Sequence, residues 1–394
     1  MRALVCRLAG LLIATALLAS HAGASVIGKD DRTDVPGEHR RLADGIGLLY
    51  NAEASYACTA FCVAADVIAT NAHCLLRKSG PNGEVRLGDM RFSPYGPVQE
   101  TNTFQYSLKH VSDDQPRLSI LAGHSRGGAT ISQQAGDWAF AKLNFAVCLG
   151  LELEFSTASR DGISRAAKDN RLFMIGYHGD KMLIEKWFSP CNIRSSDDRR
   201  HFLPDQRRLL RRSGSLLPHT CDMYEGASGS PIFMEEDGKF RVVAINTGGV
   251  GYSEYRQSAD GTRRNIVASR VTNLAVLTSG ITQGLERFES ENLLGGIEEF
   301  KELQTLLKKK GYYRSAIDGV YGPGTRAAII EREKELGLVS LGMPTWELLL
   351  GLRDEAAQDD DVVETAAGKR EMLHSAPEKS LDKKAVEAKV TEPR

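Results

Sequence analysis

Short apolar runs separated by turn residues dominate the chain from Gly45 onward. Runs of this kind, rich in β-branched and aromatic side chains and bounded by Gly, Asn or Asp, are typical of strands. Many of them in succession predict a mainly β fold, either a sandwich or a barrel. The predicted strands are Gly45–Tyr50, Cys58–Val63, Val67–Thr70, Leu118–Ala122, Trp138–Leu143, Leu172–Tyr177, Met182–Trp187, Pro231–Met234, Phe240–Asn246 and Asn265–Val271.

The pattern becomes helical toward the C-terminus. A helix is predicted over Thr272–Arg287, and after Ile297 leucines recur at helical spacing. Thr325 and Thr345 are predicted N-caps of two further helices. The chain then turns charged and alanine-rich, which predicts disorder. Six segments follow from these changes: a leader at 1–24, an N-terminal arm or pro-segment at 25–41, the β-rich region at 42–287, a linker at 288–296, a small three-helix domain at 297–352 and a disordered charged tail at 353–394.

The first 24 residues have the layout of a secretory signal peptide. Arg2 and Arg7 precede the apolar run Leu8–Leu18, and Ala22-Gly23-Ala24 supplies a small-residue cleavage site. No later stretch is long and apolar enough to predict a membrane span. The sequence therefore predicts export, to the periplasm or outside the cell.

Export changes the interpretation of the seven cysteines. Cys6 lies in the leader, and an even number remains, which in an oxidising compartment predicts disulfides rather than a metal site. Six cysteines allow 15 connectivities, and a bridge between Cys58 and Cys74 would join the ends of a hairpin. No zinc-type spacing is present, so no metal is predicted.

The net formal charge of −1 gives no general attraction to nucleic acid. One local exception is Arg199–Arg212, which contains six arginines. A solvated loop is the favoured interpretation of this run. An exosite for acidic cell-wall polymers and an exposed self-cleavage site are the alternatives.

Three short stretches contain the residues of a possible acyl-transfer site. Ser228 stands between glycines on a predicted tight turn, where backbone N–H groups can converge on an oxyanion. His73 follows a predicted strand beside Cys74, in a setting suited to a general base. Asp137 precedes an apolar strand and could hold the imidazole in the required tautomer.

In their order along the chain and in their local sequences, these stretches resemble the trypsin-like serine endopeptidases. Thr70–Cys74 is similar to the Thr-Ala-Ala-His-Cys block, Asp137–Leu143 to Asp-Ile-Ala-x-x-x-Leu, and Gly226–Pro231 to Gly-Asp-Ser-Gly-Gly-Pro. The resemblance implies two antiparallel Greek-key β-barrels of the chymotrypsin-like type over residues 42–287. It makes Ser228 the nucleophile and His73 the base, and it requires no cofactor.

The resemblance also implies the surroundings of this triad. The N–H groups of Gly226 and Ser228 would form the oxyanion hole, and Asp137 would be supported by the hydroxyl of Thr247. Substrate would pair with the strand that contains Thr247 and Gly248. Asp222 matches the residue at the bottom of the substrate pocket that selects Lys and Arg in trypsin itself. Asn246 replaces a histidine used by glutamate-cleaving members, and Ala227 replaces an activating aspartate. Cys191 pairs with Cys221 in similar branches, which leaves Cys62 with Cys148.

The helical domain resembles the peptidoglycan-binding domain. The pattern Leu303-Gln304, Gly311-Tyr312-Tyr313, Asp318-Gly319 and Thr325 is shared, whereas Glu331-Arg332 departs from the usual Phe-Gln. The resemblance implies that residues 297–352 bind peptidoglycan.

Two other functions remain open at this stage. Gly123-x-Ser125-x-Gly127 has the form of an α/β-hydrolase elbow, with Asp180 and His219 as partners. The β-rich region could also be an inactive scaffold for wall or protein binding. The favoured hypothesis is an exported serine endopeptidase that hydrolyses protein or peptide and is tethered to the cell wall.

Overall fold

The structure is a computed structural model. It describes residues 25–51, 56–76, 89–96, 105–108, 120–123, 130–257, 264–290, 293–294 and 296–359. The predicted leader at 1–24, the candidate Ser125 and the part of the predicted tail after 359 lie outside these ranges. None of the helices in the described ranges combines the length and the apolar character needed to cross a bilayer.

Two antiparallel sheets of seven strands each form the body of the molecule. The strands of both, in chain order, are β1 (Thr33–Asp34), β2 (Ile46–Asn51), β3 (Tyr56–Ala64), β4 (Val67–Thr70), β5 (Met90–Ser93), β6 (Tyr106–Ser107), β7 (Ile120–Ala122), β8 (Ala139–Lys142), β9 (Leu172–Tyr177), β10 (Lys186–Pro190), β11 (Leu216–His219), β12 (Pro231–Glu236), β13 (Lys239–Gln257) and β14 (Arg264–Leu277).

In each sheet, an isolated β-bridge connects segments that lie far apart in the strand order, as is expected of a barrel. The first sheet has the order β6-β5-β2-β3-β4-β8-β7, and a bridge from Leu108 to Leu143 joins the chain after β6 to the chain after β8. The second has the order β1-β10-β9-β12-β13-β14-β11, and a bridge from Ile193 to His219 joins the chain after β10 to β11. Each bridge links distant members of its sheet, so the predicted mainly β, two-barrel architecture is confirmed.

Short helices lie between the strands, and longer ones follow them. They are α1 (Arg40–Asp44), α2 (Ala72–Leu76), α3 (Ile131–Gln134), α4 (Arg160–Lys168), α5 (Pro204–Ser213), α6 (Thr282–Ser290), α7 (Ile297–Lys309), α8 (Pro323–Glu335) and α9 (346–359). Thr345 Oγ1 accepts a hydrogen bond from Leu348 N at 3.2 Å, as an N-cap does. Thr325 does not cap α8, because Gly322 occupies the N-cap position.

Several predicted boundaries are wrong. Residues 272–277 belong to β14 rather than to a helix, because this apolar run is paired with β11 on one side and β13 on the other. The strand predicted from Met182 begins only at Lys186, since Met182 and Leu183 have positive φ. Residues 353–359 continue α9 instead of starting the disordered tail.

The N-terminal arm predicted at 25–41 is ordered against the second barrel. Arg32 has a fully buried side chain that forms ion pairs with Asp30 and with Asp180, the latter at 2.5 Å. His39 stacks on Phe173 with 4.3 Å between ring centroids. Because charged and aromatic side chains are buried in this way, the arm is part of the domain.

The arginine-rich run is a helix over much of its length, not the favoured solvated loop. Pro204 stands in the first turn of α5, and Gly214 ends the helix with a left-handed conformation. Leu210 buries one face of α5 against Phe202 and Ile131. The arginines are thereby held on a fixed surface.

The helical domain is docked onto the first barrel. Leu341 and Met343 are buried in the same cluster as Phe288 of α6, and Arg326 on α8 donates to the carbonyl of Ala122 in β7 at 3.1 Å. Phe288 is fully buried inside the segment predicted as a linker. Close packing at the junction replaces the flexible tether that the sequence predicted.

Candidate active site

His73 and Asp137 are brought together by the pairing of β4 with β8. Thr70 at the end of β4 lies opposite Ala139 at the start of β8, so the residues after one strand meet those before the other. His73 Nδ1 lies 2.7 Å from Asp137 Oδ2, and the His73 backbone N–H donates to Asp137 Oδ1 at 2.9 Å. The aspartate side chain is 3% exposed and the histidine side chain 28%. The carboxylate is thus buried while the ring reaches solvent.

Thr59 of β3 joins the Ser228 turn to the first barrel. Its N–H donates to the carbonyl of Ser228 at 2.8 Å, and its hydroxyl donates to the carbonyl of Gly226 at 2.9 Å. The Thr70 hydroxyl in turn donates to the Thr59 carbonyl at 2.8 Å. Ser228 is therefore fixed against the two strands that lead to His73. Thr59 was not predicted from the sequence, where its only signal is its place beside Cys58.

The turn around Ser228 leaves two of its backbone donors available. The amides of Ala227, Gly229 and Ser230 donate to carbonyls within the second barrel. No hydrogen bond from the amides of Gly226 or Ser228 is found within the described ranges. Gly226 has φ +94°, a left-handed conformation that favours glycine. These two amides are the pair predicted to form an oxyanion hole.

Thr247 lies beside Ser228, but it does not support Asp137 as predicted. The register of β13 against β14 shifts between Asn246 and Gly248, so Thr247 occupies a β-bulge. Its carbonyl accepts a hydrogen bond from Ser228 Oγ at 3.3 Å. Its hydroxyl bonds instead to Gln134 Oε1 at 3.0 Å and to Leu274 O at 3.1 Å. The predicted contact with the aspartate is wrong because Gln134 occupies the hydroxyl.

Asn246 supports the serine turn. It is fully buried, and its Nδ2 donates to the carbonyl of Ala227 at 2.7 Å. The N–H of Gly229 also donates to the Asn246 carbonyl at 2.8 Å. An amide at this position thus holds the backbone beneath Ser228.

In the helical domain, the shared sequence pattern forms a buried network around Gln304. The Gln304 side chain is inaccessible to solvent; its oxygen accepts from the N–H groups of Asp318 and Gly319, and its nitrogen donates to Val320 O. Thr325 donates its hydroxyl to the same Val320 carbonyl at 3.0 Å. The pattern therefore holds the loop between α7 and α8.

Comparison with known families agrees with this arrangement. Residues 58–245 match the model of the trypsin-like peptidase domain, a range that contains His73, Asp137 and Ser228. The chain carries a trypsin-like peptidase domain. Residues 297–349 match the model of the peptidoglycan-binding domain.

Other comparisons are more distant. No curated protein matches the sequence. Among solved structures, that of a Glu endopeptidase in complex with MPD is similar over 67% of this chain and 98% of its own, with 15% identity and a TM-score of 0.42.

Asp222, predicted to lie at the bottom of the peptidase domain's substrate pocket, is hydrogen-bonded to the N-terminal arm. Its carboxylate accepts from the N–H of Ile27 at 2.6 Å and from that of Asp31 at 3.1 Å, and the residue is 1% exposed. Burial and the neighbouring charge of Asp222 raise the pKa of Asp31 to about 6. Asp222 is therefore a buried anchor for the arm rather than an open site for a basic side chain.

Asn273 and His219 are two further buried residues of this region. Asn273 Nδ2 donates to the carbonyls of Cys221 and Ser25, each at 2.8 Å, and so ties the arm to the chain before Ser228. His219 is fully enclosed, and burial lowers its pKa to about 4, which leaves the ring neutral. Asn273 stands in no recognisable motif, and His219 was predicted only as a partner of Ser125, so these positions beside the arm follow from the fold alone.

The disulfides of the peptidase domain pair as the resemblance implied: Cys58 with Cys74, Cys62 with Cys148, and Cys191 with Cys221. The first bridge is next to His73, and the ring nitrogen and both sulfur atoms lie within 4.8 Å of one another. Because the two sulfurs are bonded to each other, they are not thiolate ligands for a metal.

The α/β-hydrolase alternative is wrong. That fold needs a parallel sheet flanked by helices, whereas the strand pairs in the described ranges are antiparallel. Asp180 is bound by Arg32 of the arm, and His219 is buried within β11. Neither side chain is available to a second triad.

Proposed function

We propose that this chain is an exported serine endopeptidase that hydrolyses peptide bonds with Ser228, His73 and Asp137, and that residues 297–352 hold it at peptidoglycan. A trypsin-like peptidase domain joined to a peptidoglycan-binding domain supports a serine peptidase associated with the cell wall. The observation that carries the proposal is the contact of the buried Asp137 carboxylate with His73, connected through Thr59 to the Ser228 turn.

In the proposed reaction, His73 takes the proton of the Ser228 hydroxyl as Oγ attacks the substrate carbonyl. Asp137 faces Nδ1, so Nε2 would be the nitrogen that accepts this proton. The amides of Gly226 and Ser228 would stabilise the oxyanion, where losing one donor costs about 3 kcal/mol. His73 would then protonate the leaving amine, and water would hydrolyse the acyl-enzyme.

The proposed substrate is a protein or peptide, without a preference for Lys or Arg beside the scissile bond. Such a preference needs a carboxylate that faces the substrate. Asp222 instead accepts two backbone N–H groups of the arm and is 1% exposed. We therefore expect cleavage after other residue types.

Export is proposed from the sequence of residues 1–24 and is supported by three disulfides, which form and persist outside the cytosol. The protein would then work in the periplasm or outside the cell, where peptidoglycan is accessible. Edman sequencing of the exported protein tests this step, and a first residue of Ser25 is the expected result.

Labelling with a fluorophosphonate serine probe, followed by mapping of the modified peptide, tests the catalytic assignment. We expect label on Ser228 and none in the Ser228→Ala variant. Absence of label from the folded parent protein, together with failure to cleave peptides, would favour the alternative of an inactive scaffold.

Co-sedimentation with purified peptidoglycan tests the binding role. The full chain is the proper sample, because the helical domain shares a core with the peptidase domain. Saturable binding of the Ser228→Ala variant is expected, since that variant cannot cut contaminating protein. Binding that disappears after the wall is stripped of attached protein would contradict the assignment.

A further inference from the structure

The arginine-rich helix α5 lies beside the strand that would receive substrate. Val250 of β13 packs against the cluster containing Phe202 and Leu210, and the hydroxyl of Tyr252 donates to the carbonyl of Arg200 at 3.0 Å. Gln134, on the helix that packs against α5, contacts both the Thr247 hydroxyl and, at 3.4 Å, the Gly249 carbonyl. The basic segment is thus fixed to the strand that continues from Thr247.

This segment has an excess of positive charge that its own carboxylates do not neutralise. Residues 197–212 contain six arginines and three aspartates, a net charge of +3, in a chain whose total is −1. Asp197 pairs with Arg211, Asp205 with Arg208, and Asp198 with His201. Across the described ranges no carboxylate pairs with the four remaining arginines, Arg199, Arg200, Arg207 and Arg212. Of these, only Arg207 is not exposed.

Within the described ranges, the edge of β13 next to Ser228 has no strand partner beyond Ile245. β12 pairs with β13 only as far as Pro231 and Ile245, whereas β14 covers the opposite edge from Asn246 to Gln257. Ser228 Oγ contacts the carbonyl of Thr247, so the residue whose carbonyl is attacked would lie beside Thr247. Antiparallel pairing advances one residue at a time. Substrate residues about four to six positions before the scissile bond would therefore lie beside Val250, Gly251 and Tyr252, next to Arg200.

We propose that Arg199, Arg200 and the exposed face of α5 form a specificity site for acidic side chains located about four to six residues before the scissile bond. This inference rests on the proposed peptidase function. A peptide that pairs with β13 and carries Asp or Glu at these positions brings negative charge to unpaired guanidinium groups. The attraction between exposed charges speeds association and weakens as salt rises.

Hydrolysis of a matched peptide series tests this site. A screen of short substrates first identifies the preferred residue directly before the scissile bond, and all peptides carry that residue. They differ at the fourth to sixth positions before the scissile bond, which are Asp, Ser or Lys. We expect kcat/KM to be about tenfold higher for the Asp peptide than for the Lys peptide at low salt, and the difference to shrink at 0.5 M salt, where screening is about twice as strong as at physiological ionic strength.

The variant Arg199→Glu/Arg200→Glu should reverse this order while leaving hydrolysis of the short substrate unchanged. A matched control is Arg314→Glu/Lys334→Glu, which makes the same charge change on exposed residues of the helical domain and should keep the Asp preference. Equal rates for all three peptides, alongside normal cleavage of the short substrate, would overturn the inference. If the peptide series is flat but the Arg variant alone loses binding to an acidic polymer, the site serves polymer rather than substrate, which also overturns it. Failure to cleave even the short substrate would instead contradict the proposed function.

Discussion

Arg287 of α6 and Glu333 of α8 form an ion pair across the junction of the two domains, with 2.9 Å between Nη1 and Oε1. The Glu333 side chain is completely buried, and its second oxygen accepts from the N–H of Gly342 at 2.7 Å. A buried charge is costly unless it is paired and hydrogen-bonded. The carboxylate therefore depends on both partners, and the helical domain is bound to the peptidase domain through it.

Glu333→Gln removes the charge and leaves Arg287 facing a neutral group. We expect a loss in the free energy of unfolding of about 3–5 kcal/mol, the usual cost of breaking a buried pair. Urea unfolding of the full chain measures it. Glu331→Gln is the control, because Glu331 is exposed on the same helix and should change stability by less than about 0.5 kcal/mol. Equal effects of the two variants would show that the pair does not hold the junction.

Removal of the helical domain should destabilise the peptidase domain. Ending the chain after residue 296 exposes the surface of Phe288 and its neighbours that Leu341 and Met343 cover, and exposed apolar patches promote aggregation. We expect a melting temperature lower by several degrees and a greater tendency to aggregate than in a chain ending at 359. Light scattering during a thermal scan measures both quantities. Identical melting of the two chains would mean that the docking contributes nothing.

The residues of the candidate site that lie in distinctive sequence motifs were predicted as candidates from the sequence. His73, Asp137 and Ser228 each stand in a short block of recognisable residues, and the structure brings the first two into contact. Thr59 could not be found in this way, because its partners Gly226 and Tyr177 are 167 and 118 positions away. Tertiary contacts of this range leave no periodic or local signal.

The docking of the helical domain was missed for the same reason. The stretch around Leu293 and Leu294 contains glycines and acidic residues and was predicted to be a linker, yet Leu294 is fully buried and Leu293 bridges to Thr345. A run of small and polar residues predicts flexibility only when nothing packs against it. The predicted contact between Thr247 and Asp137 was wrong for a similar reason. The acceptor that the Thr247 hydroxyl uses instead, Gln134 Oε1, cannot be recognised from the sequence around Thr247.

Thr59→Val should impair catalysis through the serine turn. The substitution keeps the shape of the side chain but removes the hydroxyl that joins Gly226 O and Tyr177 N, at a cost of about 1–3 kcal/mol for each buried group left unsatisfied. We expect kcat to fall by about tenfold with a small change in KM, because the Gly226 amide would move relative to the oxyanion. Thr305→Val, which removes an exposed hydroxyl from α7, should leave kinetics unchanged. A rise in KM alone would place Thr59 in substrate binding.

Asp137→Asn should slow peptide hydrolysis by about ten-thousand-fold, with the fold retained. An amide in place of the carboxylate no longer stabilises the imidazolium, and its NH₂ group can face Nδ1 and favour the wrong tautomer of His73. Steady-state kinetics and circular dichroism of the same samples measure the two effects. Asp169→Asn, an exposed aspartate in the turn after α4, is the control. A loss of less than tenfold would assign the orienting role to another carboxylate.

Asp31→Asn should make the protein more stable at neutral pH. Burial, followed by the charge of Asp222 and a hydrogen bond to it, raises the pKa of Asp31 from 3.8 to about 6. A raised carboxyl pKa means that the folded state binds the proton more tightly, so the free energy of unfolding falls as pH rises between these two values.

The asparagine variant lacks this penalty. Its melting temperature should therefore exceed that of the parent above pH 6 and approach it at pH 4. Asp34→Asn on β1, where the side chain is exposed, should follow the parent at both values. A shift of equal size at pH 4 and pH 7 would show that the substitution acts through packing and that the arm docks independently of the charge on Asp31.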